Sequence, residues 1–348
     1  MIDYLIIGSG LAGIAFTETA LQHHKSVAVI DTNLYHSSKV AAGLYNPVVL
    51  KRFTPLANAQ KHLDLLHVFY SKLEEKLDCK LLFDTPTLRK FFSVEEQNNW
   101  FVASDKRELS AYLSAHLSTK KYSGIDSPFD YGVVNQSGYV NVALLLEKYK
   151  AFLSKNNLSQ NEAFSYADLK VFDDRVAYRN INARHIVFAE GFGMHNNPYF
   201  KSLPLDGAKG ELLIIKAPGL SLDVILNSSV FILPIGDDLF KVGATYNWTD
   251  KTEIPTAEAK QELLERIKEI LNCDFEIIAH QAGVRPTVKD RKPLLGTHAD
   301  FRRIHILNGL GTRGVMLAPA MAKALYENIE HGIPLLREMD IRRFDPKK

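Results

Sequence analysis

Tyr4-Leu5-Ile6-Ile7-Gly8-Ser9-Gly10-Leu11-Ala12-Gly13, continued by Ser26-Val27-Ala28-Val29-Ile30-Asp31, is the stretch that decides the fold. Residues 4–7 are continuously apolar and stop at glycine, the pattern of a short strand buried on both faces. Residues 11–23 read as a helix, and residues 26–30 as a second strand ending at Asp31. Strand, glycine turn, helix and strand in so short a span form a βαβ unit, which requires a parallel sheet with helices on its faces. Gly8, Gly10 and Gly13 give the GxGxxG pattern in its required place, after a strand and opening a helix. Gly8 permits the tight turn, Gly10 lets the backbone approach a pyrophosphate, and Gly13 lets the helix lie close on the strand. Asp31 follows Gly13 by 18 residues, where a carboxylate accepts from a ribose 2′-hydroxyl and disfavours a 2′-phosphate. A dinucleotide site is expected from Gly8, Ser9, Gly10, Leu11, Ala12, Gly13, Asp31 and the adjacent Thr32.

Outward from this unit, apolar or small residues at Leu56, Ala59, Leu63, Leu66, Tyr70, Leu73 and Leu77 mark one face of a long helix. Short strand-like runs at 80–83 and 87–92 then flank amphipathic stretches near 94–103 and 107–117. Asn141 is positioned to cap a helix reaching about residue 153. Residues 185–189 read as a buried strand ending at Glu190-Gly191. Residues 209–281 change character to strands separated by Pro, Gly and Asp turns, interrupted by a helix over 256–271. A strand at 304–307, a glycine loop and a helix at 315–331 close the pattern. The expected class is α/β (α+β over both domains): a Rossmann-like domain with a parallel sheet, and a second domain with a mixed or antiparallel sheet. The dinucleotide domain is expected to be discontinuous, using 1–84, 138–206 and 282–348, with 85–137 and 207–281 forming the other.

Composition narrows the function. The chain has 348 residues, 46% hydrophobic and 24% charged, which is ordinary for a folded protein and long enough for two domains. Lys+Arg 42 against Asp+Glu 40 leaves a net charge of +2, so no bulk charge recruits nucleic acid or an anionic membrane. Cys79 and Cys273 are the only cysteines and form neither a CxxC pair nor a zinc spacing. The histidines form no HExxH pair, and no metal site is expected. Neither GxSxG nor a P-loop is present. No signal-peptide pattern and no run of roughly 20 apolar residues is visible, and the expectation is a cytoplasmic protein without a membrane span.

A second constellation separates FAD from NAD. Asn308-Gly309-Leu310-Gly311-Thr312-Arg313-Gly314 lies between a strand and a helix, with three glycines in one short loop. Such a loop brings backbone within hydrogen-bonding reach of a flat or anionic ligand, which an NAD enzyme does not generally need there. Together with Gly8 to Gly13, the motifs Ala41-Ala42-Gly43-Leu44-Tyr45-Asn46-Pro47, Gly138-Tyr139-Val140-Asn141, Gly283-Val284-Arg285-Pro286, Asp290-Arg291-Lys292-Pro293-Leu294-Leu295-Gly296 and Gly309 to Pro319 occur in this order. In this combination the chain resembles the D-amino-acid oxidase and glycine oxidase family of FAD-dependent oxidoreductases, over about residues 2–331. The segment from Gly309 to Gly314 with Ala318-Pro319 is particularly similar to the FAD domain of bacterial bifunctional tRNA 5-methylaminomethyl-2-thiouridine biosynthesis enzymes.

The resemblance implies non-covalent FAD and an oxidoreductase that oxidises a C–N bond in an amine, an amino acid or an N-substituted amino acid by hydride transfer to flavin. It adds Ala42, Gly43, Leu44, Gly191, Gly309, Leu310, Gly311, Thr312, Arg313 and Gly314 to the cofactor contacts. Arg285 falls where family members acting on amino acids hold the substrate carboxylate, a task suited to a planar, two-pronged guanidinium. A structural ion pair is the alternative. Arg313 is open between a second carboxylate contact and a brace for the flavin loop. Phe231 stands where amino-acid oxidases of this group often carry a tyrosine, and Tyr246 is the residue that can replace its hydroxyl. The C-terminal loop holds no cysteine to tether flavin. Two alternatives stay open: oxidation of a carboxymethylaminomethyl-type uridine in tRNA, and a non-catalytic flavin-binding protein. The electron acceptor, the oligomeric state and the use of a general base are not legible.

Overall fold

Ile2–Ile7 lies at the centre of the larger of two main sheets, paired in parallel with Val27–Ile30 on one side and Ile181–Phe188 on the other. The computed structural model describes residues 1–32 and 37–345; residues 33–36 and 346–348, which the sequence assigns to the dinucleotide domain, lie outside the described residues. Ser159–Gln160 continues the parallel array beyond Val27–Ile30, and Ile304–Asn308 continues it beyond Ile181–Phe188. Leu169–Val171, Val176–Tyr178 and Leu294–Thr297 add antiparallel strands. Side chains alternate across the first strand. Tyr4 and Ile6 enter a core with the helices Leu11–Gln22, Ala59–Leu77, Val142–Lys155 and Gly314–His331, while Leu5 and Ile7 enter a second core on the other face. Burial on both faces is why the run is apolar without interruption.

The helices start where capping chemistry places them. Asn141 accepts from the Leu144 backbone N–H at 3.1 Å, and Thr256 accepts from that of Ala259 at 3.3 Å to open Ala257–Lys268. The long helix begins at Ala59 rather than Leu56, because Thr54–Pro55 pairs with Val48–Val49 and Asn58 adopts a left-handed conformation. Val94–Ser104 is helical, but the stretch 107–117 is not. There Leu109 and Leu113 are buried, while Leu113 and Ser118 form bridges to Val134 and Tyr131. The neighbouring strand claims backbone groups that a helix would have used internally.

The second main sheet has seven strands in the order Glu276–Arg285, Ala208–Lys216, Leu239–Gly243, Phe231–Gly236, Ile225–Asn227, Thr87–Lys90 and Tyr131–Val134. All its pairings are antiparallel except Ile225–Asn227 with Thr87–Lys90, so the sheet is mixed. Helix Ala257–Lys268 covers one face through Leu263 and Ile267. In the larger sheet two buried histidines touch: His185 Nδ1 lies 2.9 Å from His305 Nε2, and His305 Nδ1 lies 2.9 Å from Thr297 Oγ1. Burial holds both rings neutral, pushing His185 down to about 4 and His305 well below its ordinary value. No helix among the described residues is long and apolar enough to cross a membrane.

Candidate active site

A cleft of about 1770 Å³ is lined by residues of both main sheets. It exceeds the roughly 300–1,000 Å³ that a small ligand fills, and has room for a dinucleotide and a substrate. One end is the glycine turn. Gly8 has φ +101°, and a Cβ there would stand 2.5 Å from the Ala189 carbonyl oxygen. A Cβ on Gly13 would stand 1.8 Å from the Gly8 oxygen, so the helix can lie on the turn only as glycine. The Asp31 carboxylate accepts from the Ser9 backbone N–H at 2.5 Å and from Ser9 Oγ at 2.6 Å, locking the turn from the end of the second strand.

Two helices begin at this cleft without a capping side chain: Leu11–Gln22 behind Gly10, and Gly314–His331 behind Arg313. Their first N–H groups and positive ends are what an anion requires. The glycine turn, the Asp31 carboxylate and the two uncapped termini fit FAD.

Arg285 ends the strand Glu276–Arg285, and its guanidinium is held in a slot. On one side lies Gly210, where a Cβ would stand 2.0 Å from both Nη1 and Nη2 and 2.1 Å from Cζ. The Tyr246 ring also stacks on the group, its centroid 4.5 Å from Cζ. Arg285 Nη1 donates to the Thr245 carbonyl oxygen at 3.3 Å, and no ion pair of the described residues includes this arginine. The structural ion pair left open by the sequence is therefore absent among the described residues. A guanidinium flanked on its faces has its in-plane edge left for a ligand. Burial lowers its pKa, opposed by the Tyr246 hydroxyl, and an arginine stays charged throughout. Phe231 lines the same wall and is paired across the sheet with Gly243.

Two features of the cleft have no counterpart among the residues singled out from sequence. Gly210 is one; an isolated glycine inside a strand pattern signals close approach of another group. Glu190 is the other. It follows the strand Ile181–Phe188 and lines the cleft, where Tyr166 Oη donates to one carboxylate oxygen and Asn197 Nδ2 to the other at 2.7 Å. Burial pushes its pKa up to about 7, against those two hydrogen bonds. On the far side of Gly210, wholly buried Lys209 donates to Asp250 Oδ2 and to the Ile254 carbonyl oxygen, both at 2.5 Å. Those bonds pin the loop that follows Tyr246 onto the sheet.

Of the residues expected to contact cofactor or substrate, Gly8, Gly10, Leu11, Ala12, Asp31, Thr32, Ala42, Gly43, Leu44, Gly191, Tyr246, Arg285, Leu310, Gly311, Thr312, Arg313 and Gly314 all line the cleft. Ser9, Gly13 and Gly309 stand behind its wall. Ser9 binds Asp31, Gly13 abuts Gly8, and Gly309, at φ +71°, packs against Val288. No group of three or more His, Cys, Asp or Glu that could hold a metal ion occurs among the described residues.

A parallel sheet carrying a glycine turn, joined across a cleft to a mixed sheet that presents a flanked arginine, is the architecture of a two-domain flavoenzyme. The model of the FAD dependent oxidoreductase family (DAO) matches residues 3–328, and the chain belongs to that family. It is 31% identical over 145 residues to the glycine oxidase of Bacillus subtilis, a match spanning 40% of this chain and 39% of that protein. It is 29% identical over 198 residues to the tRNA 5-methylaminomethyl-2-thiouridine biosynthesis bifunctional protein MnmC of Campylobacter jejuni, spanning 54% of this chain and 31% of that protein. The chain thus aligns with well under two thirds of the length of each. The fold is similar to the crystal structure of glycine oxidase from Bacillus cereus, with a TM-score of 0.79 at 18% identity over 96% of both chains.

Proposed function

We propose that this protein oxidises the C–N bond of an amine carrying a carboxylate, an amino acid or an N-substituted amino acid. The observation that carries the reading is Arg285: a guanidinium flanked by Gly210 and Tyr246, with no acid partner among the described residues, inside the cleft that fits FAD. Bound FAD supplies the acceptor for the two electrons that leave the substrate carbon as hydride. In this reading the segments 1–84, 138–206 and 282–348 hold FAD, and 85–137 with 207–281 build the substrate wall. Residues 8–13, Asp31, Thr32, Ala42, Gly43, Leu44 and Gly191 hold the adenosine and pyrophosphate portions, and residues 309–314 the flavin ring.

The Arg285 edge grips the substrate carboxylate by two parallel bonds and turns the adjacent carbon toward the ring. The Tyr246 hydroxyl takes the place that Phe231 leaves without one. Phe231 and the wall around it keep water from the reacting carbon. An amine that arrives neutral needs no base from the protein.

A second reading, oxidation of a carboxymethylaminomethyl-type uridine in tRNA, is favoured by two exposed aromatics: Tyr246 beside Arg285, and Trp248 two residues on. These could stack a base while Arg285 holds its carboxylate. The test is anaerobic bleaching of the protein-bound flavin by glycine, sarcosine, D- and L-amino acids and carboxymethylaminomethyl-modified tRNA. Bleaching by a small amino acid supports the first reading, and bleaching by the tRNA alone supports the second. Bleaching by none of them overturns both.

A further inference from the structure

Side chains alternate along Ala208–Lys216, so Gly210 faces the arginine slot while Lys209 and Glu211 point to the other side of the strand. Lysine is almost never fully buried without a partner, and Lys209 is wholly buried. Its ammonium donates to Asp250 Oδ2 and to the Ile254 carbonyl oxygen, both at 2.5 Å, and to Thr252 Oγ1 at 3.3 Å. Glu211 Oε1 stands 3.4 Å away. That carboxylate is engaged elsewhere: it accepts from the N–H and the hydroxyl of Thr256, both at 2.9 Å, and lies 2.8 Å from His280 Nε2. The three hydrogen-bond partners of Lys209 all belong to one short segment, residues 246–254, which begins with the tyrosine that stacks on Arg285.

The segment keeps its shape by itself. Asn247 Oδ1 accepts from the backbone N–H groups of Thr249 and Asp250, and Asp250 Oδ1 from that of Thr252, at 2.8 to 2.9 Å. Its place on the protein is not secured by packing, because Tyr246, Trp248 and Ile254 are all exposed. Polar contacts secure it. Lys209 and Asn247 exchange both backbone hydrogen bonds at 2.9 Å, and Lys251 donates to Asp206 at 3.1 Å and to the Gly207 carbonyl oxygen at 2.8 Å. The Lys251–Asp206 pair is open to solvent and holds weakly. The ammonium of Lys209 is out of reach of water, which cannot replace its bonds when they break, so they hold firmly.

The segment carries two rings, two residues apart, each against an arginine. The Tyr246 centroid is 4.5 Å from Cζ of Arg285, and the Trp248 ring lies 5.9 Å from Cζ of Arg291. One wall of the arginine slot is therefore mounted on a segment that Lys209 ties down from the other side of the strand. We propose that Lys209 is a positioning residue for the substrate anchor: by gripping Asp250 and Ile254 it keeps Tyr246 on the face of Arg285 and the guanidinium edge aimed into the cleft. This rests on the reading of Arg285 as the group that holds the substrate carboxylate. Freed of Lys209, the segment lifts, the Arg285 face opens to water, and the guanidinium gains rotamer freedom that a bound carboxylate must then remove.

The test needs no turnover. The FAD-loaded protein is titrated with acetate and propionate, read by the perturbation of the flavin spectrum, and acrylamide quenching of tryptophan emission is recorded on the same samples. Of the chain's two tryptophans, Trp100 is wholly buried and Trp248 exposed, so quenching follows the segment. Lys209→Met and Asp250→Ala should each raise the carboxylate dissociation constant about tenfold, through loss of a cation–π wall, at unchanged flavin content. Both should make Trp248 more readily quenched. Asp250→Asn keeps an acceptor in the same place and should fall between Asp250→Ala and wild type. The double variant should be no weaker than the worse single one, because both act through one contact. Asp250 stands on the solvent side of that contact, so Asp250→Ala decides the matter even where Lys209→Met does not fold. Variants that bind carboxylates as wild type does, or a freed Trp248 with no change in affinity, overturn the proposal. A loss of affinity matched by a loss of flavin overturns it too, since Lys209 would then support the fold and not the anchor. If the wild-type protein itself binds neither carboxylate, the Arg285 reading fails and the proposal falls with it.

Discussion

Gly210→Ala removes no atom that a ligand could touch, and it tests the arginine slot directly. The added Cβ would stand 2.0 Å from Nη1 and Nη2 of Arg285 and 2.1 Å from Cζ. Those atoms end a flexible side chain, so the guanidinium swings away and the strand keeps its place. Gly210 is not among the residues with positive φ, and alanine is roughly 0.5–1 kcal/mol better than glycine inside a strand, so the fold should not weaken. The substrate carboxylate loses at least one charge-assisted hydrogen bond, about 1.5–3 kcal/mol. That corresponds to a fall in kcat/KM of about 10- to 150-fold, carried mainly by KM. The flavin content and spectrum of the purified variant, its melting temperature and its steady-state kinetics are measured together. Wild-type kinetics in a variant with full flavin content would refute the assignment of Arg285 as the substrate anchor. Loss of flavin would show instead that the slot supports the cofactor.

Three further outcomes follow from the same geometry. Asp31→Ala should weaken FAD retention by about 1.5–3 kcal/mol, because the ribose loses a charged acceptor and Ser9 its lock; an unchanged FAD dissociation constant refutes the contact. Glu190, pushed up to about 7, lines the cleft beside Gly8, and its ionisation opposes a bound pyrophosphate. FAD binding should therefore weaken as pH rises above 7, by up to about tenfold per pH unit, and Glu190→Gln should flatten that dependence. A wild-type profile that is level from pH 6 to 8 contradicts it. His185 falls from 6.5 to about 4 on folding, so the unfolded chain binds the proton more strongly, and stability is lost as pH drops from 6.5 toward 4. The expected loss is about 3 kcal/mol for this residue, read from urea unfolding at stepped pH, and His185→Gln should remove it.

The parallel sheet was legible because its signals are local. The apolar run at residues 4–7, the glycine spacing and Asp31 all follow from what a strand, a tight turn and a helix require of consecutive residues. The caps at Asn141 and Thr256 were legible for the same reason. The stretch 107–117 misled because its helical periodicity was real, yet Val134 and Tyr131, far along the chain, took the backbone of Leu113 and Ser118 into bridges. Local propensity is a weak term when a sheet edge offers partners.

The sequence by itself determined the fold class and the glycine turn, because each is written in short-range pattern or in motif order, and it named many residues of the cleft while missing Gly210 and Glu190. It could name Arg285 without deciding between an ion pair and a ligand anchor. That decision belongs to the tertiary structure, which brings Gly210, Tyr246 and Thr245 around the guanidinium with no acid of the described residues paired to it. Glu190 likewise reads as an ordinary acid beside a glycine, until folding buries it among Tyr166, Asn197 and the glycine turn. Charge compensation and desolvation are sums over neighbours from distant parts of the chain, so only the folded arrangement decides them.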